Sequence, residues 1–162
     1  MSNFVDEMFL QNSTFYAKVF KITIYEEGNT LQIVAHLDVQ KLYNYKEKLI
    51  TDEVVLTDER LYNHILLCHK KDYEQLKDYL QEIIEYPDYI IEDNRHINTM
   101  IYLKNIKQLG KYGRVVIKLA LSQDSEHPKN SIITLMRLND RTWKQTINNR
   151  GDFIWKRLDK NE

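Results

Sequence analysis

Two histidines stand inside the segment "LTDERLYNHILLCHKKDYEQL", which runs from Leu56 to Leu76. His64 and His69 lie among apolar residues at helical spacing, with acidic and basic residues on either side. Imidazole serves proteins as a packed side chain, as a metal ligand, and as a general acid or base in catalysis. The chemistry available to this chain therefore depends on where the two rings point and what they face.

The spacing of the two histidines argues against a metal site that they share. Histidines that bind one zinc ion from a helix are four positions apart, one turn along the same face. His64 and His69 are five positions apart, which is about 140° around a regular helix. Cys68 is the only cysteine, so neither an internal disulfide nor a cysteine-based zinc site can form. The sequence therefore predicts no metal and no other cofactor.

Arg60, His64 and Cys68 follow one another at intervals of four, which places them on one face of a helix. This face lies beside the apolar stripe that contains Leu61 and Ile65. A guanidinium close to an imidazole disfavours the protonated ring, so His64 can act as a general base while Arg60 steadies a phosphate. The alternative is that His64 is a histidine at the border of the core, hydrogen bonded to the sheet.

The elements that position these residues follow from periodicity. The segment "FYAKVFKITIYEEGNTLQIVAHLDV" alternates between apolar and polar residues, and Gly28-Asn29 in its middle supplies the turn of a β-hairpin. Thr57 or Asp58 can cap the helix that carries the two histidines. A second helix is predicted over residues 73–85 from the apolar residues Leu76, Leu80, Ile83 and Ile84. It ends before Pro87, since the residue before a proline disfavours the α conformation.

After the second helix the hydrophobic period falls to two, which predicts strands. Turns are predicted at Asn94-Arg95, Lys111–Gly113 and Asp124–Lys129, and "NDRTWKQTINN" is a short helix or a loop. This order predicts an α+β fold in which an N-terminal β-hairpin and two helices pack on an antiparallel β-meander. The predicted strands are "PDYIIED", "NTMIYLKNI", "GRVVIKLAL", "NSIITLMRL" and "DFIWKRL".

The composition predicts a single domain over residues 1–162, because a chain of this length with 43% hydrophobic residues suits one core. Within it, a hairpin and connector occupy residues 14–50, and the main α+β unit occupies residues 54–157. No apolar run reaches the length of a membrane span, and the first residues lack the basic start of a signal peptide. The expected location is a reducing cytoplasm, with no membrane partner.

The charge of the chain limits the surfaces that could bind nucleic acid. The 23 Lys and Arg are balanced by 24 Asp and Glu, so no uniformly basic coat exists. Basic residues gather instead between Arg137 and Lys160. This C-terminal third is either the face for a polyanion or an ordinary solvated surface.

Four sequence elements occur in an order typical of a known family. They are the helix "TDERLYNHILLCH", a second helix that ends in "PDYI", the strand "NSIIT" and the late aromatic–lysine pair "WK". Over Val54 to Arg157 the chain resembles the phage-associated barnase/EndoU/colicin/RelE-like nucleases. The family usually has Arg before the second histidine and Pro after it, whereas this chain has Cys68 and Lys70 there.

The resemblance implies a metal-independent endoribonuclease with a small helical layer on an antiparallel sheet. Such an enzyme drives the 2′-hydroxyl of single-stranded or structured RNA onto the adjacent phosphorus and leaves a 2′,3′-cyclic phosphate. It also implies a phage or bacterial toxin whose partners are RNA, with tRNA as one candidate, and an inhibitor or a fused protein. The residues at the family's motif positions are the catalytic candidates Arg60, His64, His69, Thr134 and Lys156, and the substrate-binding candidates Asn130, Ser131 and Trp155.

Two lysines outside these motifs are further candidates for contact with phosphate. Lys118, alone within "VVIKLAL", is either a charge that protects an edge strand or a cation that faces the cleft. Lys144 is a phosphate ligand or an ordinary surface lysine. Trp143, Trp155 and Tyr89 can stack on unpaired bases or pack in the core.

The catalytic candidates also have purely structural interpretations. His69 stands near a helix end, where a cation interacts favourably with the helix dipole. Thr134 belongs to a residue type that is common in strands without any further role. His36, in the hairpin, is expected to have no role, and His96 and His127 are expected to be exposed to solvent in a turn and a loop.

Two functions therefore remain open. The first is the cyclising ribonuclease, which the joint presence of Arg60, His64, Asn130 and Thr134 favours. The second is a catalytically inactive nuclease-fold module that binds RNA or a protein through its edge strands. The near-neutral charge and Cys68 at a position where the family has Arg favour the second.

Overall fold

The computed structural model describes residues 23–26, 29–124, 126, 128–149 and 153–158. Within these residues, eight strands form one sheet. The strands are β1 Thr23–Glu26, β2 Asn29–His36, β3 Glu53–Thr57, β4 Tyr89–Glu92, β5 Thr99–Ile106, β6 Lys111–Lys118, β7 Asn130–Leu138 and β8 Phe153–Lys156. Their order across the sheet is β1-β2-β3-β7-β6-β5-β4-β8.

The N-terminal hairpin predicted from the alternating pattern is confirmed. Strands β1 and β2 pair in antiparallel fashion, with Glu26 opposite Asn29. Strand β2 then pairs with β3, so the hairpin extends the same sheet that the later strands form. Phe20, Ile22 and Gly28, which belong to the same predicted segment, lie outside the described residues.

The predicted antiparallel meander is also confirmed, and it consists of strands β4 to β7. The sheet as a whole is mixed, because β3 and β7 pair in parallel through Val54 with Asn130 and Val55 with Ser131. This parallel junction matters for function. It places the beginning of β7 next to β3, and β3 leads directly into the helix that carries His64 and ends just before His69.

The first predicted helix begins at the expected cap. The Thr57 side-chain oxygen accepts a hydrogen bond from the backbone N–H of Arg60 at 3.1 Å, which satisfies one of the free donors of the first turn. Three consecutive segments form this helix, α1: the α turn Asp58–Arg60, the π turn Leu61–Ile65 and the α turn Leu66–Cys68.

The assumption that α1 is regular is wrong. In its π turn the N–H of Leu66 donates to the carbonyl of Leu61, five residues earlier, and such a turn accommodates one residue more than an α turn. The chain then leaves helical geometry at His69, whose φ is −136° and ψ is 32°. Side-chain directions after the π turn therefore differ from those that a spacing of 100° per residue gives.

The second predicted helix is confirmed in its position but is divided in two. Helix α2 covers Lys70–Leu76, a 3-10 turn covers Lys77–Tyr79, and helix α3 covers Leu80–Glu85. A further helix, α4, covers Asp140–Asn149, which decides between the helix and the loop expected there. None of the described helices is long and apolar enough to cross a membrane.

The sheet carries a separate apolar cluster on each face. Helices α1 to α3 cover one face, where Ile65, Leu76 and Ile83 are fully buried against the sheet. Helix α4 lies on the other face, where Trp143 packs on a second cluster that includes Val116 and Leu138. Any side chain of the sheet therefore faces either the α1–α3 side or the α4 side.

The turn predicted at Lys111–Gly113 is wrong, because those residues belong to β6. The chain turns earlier, over residues 107–110, where Gly110 has a φ of 59° that suits glycine. Gly113 serves packing instead. A Cβ added there would lie 2.8 Å from Cδ1 of Ile83, so glycine lets α3 approach the sheet closely.

Candidate active site

Helix α1 brings three of the predicted site residues to one region. Arg60 ends the first α turn, and His64 lies in the π turn. His69 occupies the junction between α1 and α2, where its N–H donates to the carbonyl of Ile65 at 2.7 Å. Arg60, His64 and His69 are all half-buried, so their side chains border the core without leaving solvent.

The two imidazoles are in contact. The ring centroids of His64 and His69 lie 5.7 Å apart, and the ring planes make an angle of 68°, an edge-to-face arrangement. A regular helix would turn these side chains about 140° apart. The π turn and the break at His69 remove that separation, so the two rings can act on one substrate.

A carboxylate and a guanidinium complete this group. Asp72 lies in α2, and its Oδ2 is 4.0 Å from Nδ1 of His69. Its Oδ1 accepts a hydrogen bond from Nε of Arg137 in β7 at 2.6 Å. Nη1 of Arg137 also donates to Oε1 of Gln75 at 2.7 Å. We call His64, His69, Asp72 and Arg137 the imidazole cluster.

Sequence reasoning missed Asp72, Gln75 and Arg137 as site residues. The position of Asp72, three residues after His69, is a local signal that could have identified it, because residues at that spacing meet on a helix. Arg137 gives no such signal. It lies 65 residues from Asp72 in the chain, and the alternation along β7 does not say which face of the sheet carries a helix.

Thr134 does not join the imidazole cluster. In β7 it lies opposite Val116, a member of the apolar cluster on the α4 side. Side chains that lie opposite each other in an antiparallel pair point to the same face of the sheet. The Thr134 side chain is therefore on the α4 side, whereas Arg137 and both histidines are on the α1–α3 side. The Thr134 hydroxyl and the His64 imidazole therefore lie on opposite faces of the sheet.

The Thr134 hydroxyl is buried, and among the described residues it has no hydrogen-bond partner. Lys118 and Ser131 also lie on the α4 side. Lys118 follows Val116 by two positions in β6 and so points to the same face, and Ser131 lies opposite Lys118. Lys118 Nζ donates to the carbonyl of Ile97 at 2.8 Å, and Ser131 Oγ donates to the carbonyl of Lys129 at 3.1 Å. Their described contacts are thus with nearby backbone.

Asn130 is fully buried and joins three backbone segments. Its amide nitrogen donates to the carbonyls of Thr51 and Glu53 at 2.8 and 2.9 Å, and its amide oxygen accepts from the N–H of Ala120 at 2.7 Å. The side chain therefore fastens the parallel junction between β3 and β7. In this structure Asn130 positions the sheet beneath α1 and has no surface to offer a substrate.

The aromatic–lysine pair lies at the far edge of the sheet. Strand β8 is four strands away from β7, roughly 19 Å at the usual strand spacing. Lys156 is exposed there, opposite Tyr89. The ring of Trp155 packs against the core, with Nζ of Lys41 4.8 Å from its centroid. The structure does not bring this pair to the imidazole cluster.

The remaining aromatic candidates stack on one another. The Trp143 ring lies 4.4 Å from that of Tyr112 in a stacked arrangement and 5.8 Å from that of Tyr89. The ring centroids of Phe153 and Tyr89 lie 5.1 Å apart. These contacts hold α4 against the sheet, which is the core-packing interpretation, while Lys144 in the same helix is exposed.

Two of the other histidines, His36 and His96, form local pairs with carboxylates. Nδ1 of His36 lies 3.4 Å from Oδ1 of Asp52, and Nδ1 of His96 lies 2.9 Å from Oδ2 of Asp93. Both rings are exposed and far from a second imidazole in sequence. His127 lies outside the described residues.

The argument from regular helical spacing against a metal site shared by His64 and His69 does not hold, because the two rings are in contact. Whether a metal ion could bind there depends instead on the other metal-binding side chains around the two rings. In the part of the chain that the structure describes, no group of three or more His, Cys, Asp or Glu side chains is arranged to hold a metal ion.

The fold and the cluster together define a class, an α+β protein whose helical layer presents paired imidazoles beside a guanidinium. The chain belongs to the phage-Barnase-EndoU-ColicinE5/D-RelE like nuclease2 family, whose sequence model matches residues 30–156. The resemblance read from the sequence is therefore confirmed, and with it the α+β fold and a nuclease function in general terms. No curated protein and no solved structure matches the chain.

Proposed function

We propose that this protein is a metal-independent endoribonuclease of the phage or bacterial toxin kind that acts on RNA in the cytoplasm. The observation that carries the proposal is the edge-to-face contact of His64 and His69, with Asp72 linking His69 to Arg137. Two imidazoles and a cation can together cleave RNA through its own 2′-hydroxyl, because that reaction transfers two protons and concentrates charge on one phosphate.

In the proposed reaction, His64 accepts the proton of the 2′-hydroxyl, and the 2′-oxygen forms a bond to the adjacent phosphorus. The bond from phosphorus to the 5′-oxygen breaks as His69 donates a proton to that oxygen. The products are a 2′,3′-cyclic phosphate and a 5′-hydroxyl. His69 takes the acid role because the carboxylate of Asp72 faces its Nδ1 and can hold the ring with Nε2 towards the substrate.

Positive charge near the imidazoles stabilises the pentavalent phosphate. Sequence reasoning assigned this part to Arg60 and to a lysine of the C-terminal third. Arg137 supplies the second cation in our proposal, since it is half-buried and hydrogen bonded to α2. A guanidinium held in a fixed orientation binds phosphate with better geometry than a flexible lysine does.

The proposal is tested by incubating the purified protein with end-labelled RNA in the presence of EDTA. We expect cleavage that leaves a 2′,3′-cyclic phosphate, and a loss of about a hundredfold or more in His64→Ala. His96→Ala is the matched control, because His96 also pairs with a carboxylate but lies in an exposed turn. A tRNA and an unstructured RNA, compared side by side, identify the preferred substrate.

One further substrate tests the mechanism. RNA with a single 2′-deoxynucleotide at the cleavage site should resist cutting there, because the attacking oxygen is absent. Continued cleavage at that site would contradict the cyclising mechanism. RNA that is bound tightly but left intact would instead identify an inactive nuclease-fold module, and neither binding nor cleavage would point to a protein partner such as an inhibitor.

A further inference from the structure

Within the imidazole cluster, the carboxylate of Asp72 lies between Arg137 and His69. The Oδ1 atom of Asp72 accepts from Nε of Arg137 at 2.6 Å, while its Oδ2 lies 4.0 Å from Nδ1 of His69. The Asp72 side chain is only 21% exposed, so both interactions are partly shielded from water. Charge pairs in such surroundings are screened less than pairs at the open surface.

The guanidinium fixes the orientation of this carboxylate. Arg137 projects from the sheet, and its Nη1 donates to Oε1 of Gln75 at 2.7 Å, three residues after Asp72 in α2. Two hydrogen bonds from one planar group to one helix leave Asp72 little freedom to rotate. Its Oδ2 is therefore held on the side that faces His69.

The two nitrogens of His69 consequently differ in their surroundings. A carboxylate beside Nδ1 favours a proton on that atom, which leaves Nε2 as the nitrogen that exchanges protons with a substrate. The distance of 4.0 Å is that of an ion pair rather than of a hydrogen bond. Such contacts between catalytic groups are often long without substrate and shorten when it binds.

We propose that Asp72 is the positioning residue of this nuclease site, holding His69 with its proton on Nδ1 while Arg137 holds Asp72. The expected effect of Asp72 on the cleavage rate rests on the proposed function. The position of the proton on the His69 ring does not, because it can be measured in the free protein whether or not RNA is cut.

The experiment records the nitrogen signals of the imidazoles by NMR in the ¹⁵N-labelled protein, at a pH where the rings are neutral. We expect the wild-type His69 ring to carry its proton on Nδ1, and Asp72→Asn to shift it towards Nε2, the form that free imidazole side chains prefer. Asp72→Glu should retain the proton on Nδ1. A wild-type His69 ring protonated on Nε2 would overturn the proposal without any variant.

A matched control comes from the second pair of the same kind. Asp93 lies three residues before His96, and Oδ2 of Asp93 is 2.9 Å from Nδ1 of the exposed His96 ring. Asp93→Asn should alter the His96 ring in the same spectrum and leave cleavage unchanged. Asp72→Asn should instead lower kcat about tenfold to a hundredfold with little change in KM, the usual range for loss of a partner that orients a histidine.

The outcomes separate this inference from the proposed function. A Nδ1-protonated His69 that responds to Asp72→Asn, in a protein that cuts no RNA, would support the positioning role and contradict the ribonuclease. Cleavage that proceeds at the wild-type rate in Asp72→Asn would contradict the positioning role and leave the ribonuclease standing. A fall in activity with an unchanged His69 ring would also count against it, because the loss would then come from the fold.

Discussion

The imidazole rings of His64 and His69 lie edge to face with their centroids 5.7 Å apart, although five positions in a helix separate the two residues. The contact depends on two departures from α geometry, the π turn Leu61–Ile65 and the non-helical backbone of His69. Irregular turns of this kind occur often at functional sites. The arrangement gives each ring a different neighbourhood, since only His69 faces Asp72.

We predict that the need for His69 in cleavage depends on the leaving group of the substrate, whereas the need for His64 does not. An alkoxide leaving group needs a proton from His69, whereas a nitrophenolate leaves without one. With ordinary RNA, His64→Ala and His69→Ala should each slow cleavage by about a hundredfold or more. With a nucleoside 3′-nitrophenyl phosphate, His69→Ala should recover to within about tenfold of the wild type, while His64→Ala should stay slow.

Steady-state rates of the two variants on the two substrates provide the measurement. His96→Ala controls for the loss of an imidazole that pairs with a carboxylate elsewhere. If the activated substrate rescues His64→Ala and not His69→Ala, the two roles are reversed. If it rescues neither, His69 is not the acid.

The sequence predicted those features that depend on neighbours in the chain. Thr57 could be recognised as a helix cap because the hydrogen bond it makes is to Arg60, three residues on. The hairpin and the meander followed from alternation and short turns. The misplaced turn at Gly113 shows the limit of this local reading, since whether a glycine serves a turn or close packing depends on what lies above it, here Ile83.

The features that sequence could not predict depend on contacts between distant segments. Which face of the sheet carries α1 to α3 decides that Arg137 joins the imidazole cluster and that Thr134 does not, and strand alternation fixes only that side chains on successive residues differ. A β-bulge at the β6–β7 pair shifts the register just before Thr134. The π turn was not predicted either, because the argument from residue spacing assumes a regular α-helix throughout the segment.

We predict that Thr134→Val leaves both stability and cleavage nearly unchanged. The two side chains have the same shape, and the Thr134 hydroxyl is buried without a hydrogen-bond partner among the described residues. Its removal should therefore cost nothing in stability or raise it by up to about 1 kcal/mol. Since the hydroxyl lies on the α4 side, cleavage should stay within about twofold of the wild type.

Urea denaturation and the RNA assay together check this prediction. Thr57→Val is the matched control, because it removes a hydroxyl that does accept a hydrogen bond and should cost about 1 kcal/mol. A folded Thr134→Val protein that cleaves RNA tenfold more slowly would contradict this prediction. It would support the phosphate-orienting role of Thr134 that the family resemblance implies.

We predict that Asn130→Ala is strongly destabilising. The change leaves the carbonyls of Thr51 and Glu53 and the N–H of Ala120 without their buried partner, which should cost about 3 kcal/mol. Ser131→Ala, in the adjacent position, removes only a local bond to Lys129 and should stay within about 0.5 kcal/mol. Equal losses of the free energy of unfolding in the two variants would show that Asn130 does not fasten the parallel junction.

We predict that the fold loses stability at alkaline pH through Tyr45. Burial, together with a hydrogen bond to the carboxylate of Glu92, raises the pKa of Tyr45 to about 12. In the unfolded chain a tyrosine titrates near 10, so above that pH the unfolded state binds fewer protons than the folded state. The stabilising contribution is complete below about pH 10, and it is lost as the pH rises towards 12.

Tyr45→Phe isolates this contribution, because phenylalanine keeps the ring and removes the titrating group. The free energy of unfolding should fall less steeply between pH 10 and 12 in the variant than in the wild type. Tyr102→Phe is the comparison for a deeper site, since burial also raises the pKa of Tyr102, with the charge of Asp38 adding to the effect. If the slopes of wild type and Tyr45→Phe coincide over this range, the phenol of Tyr45 is not held neutral by Glu92 in the folded protein.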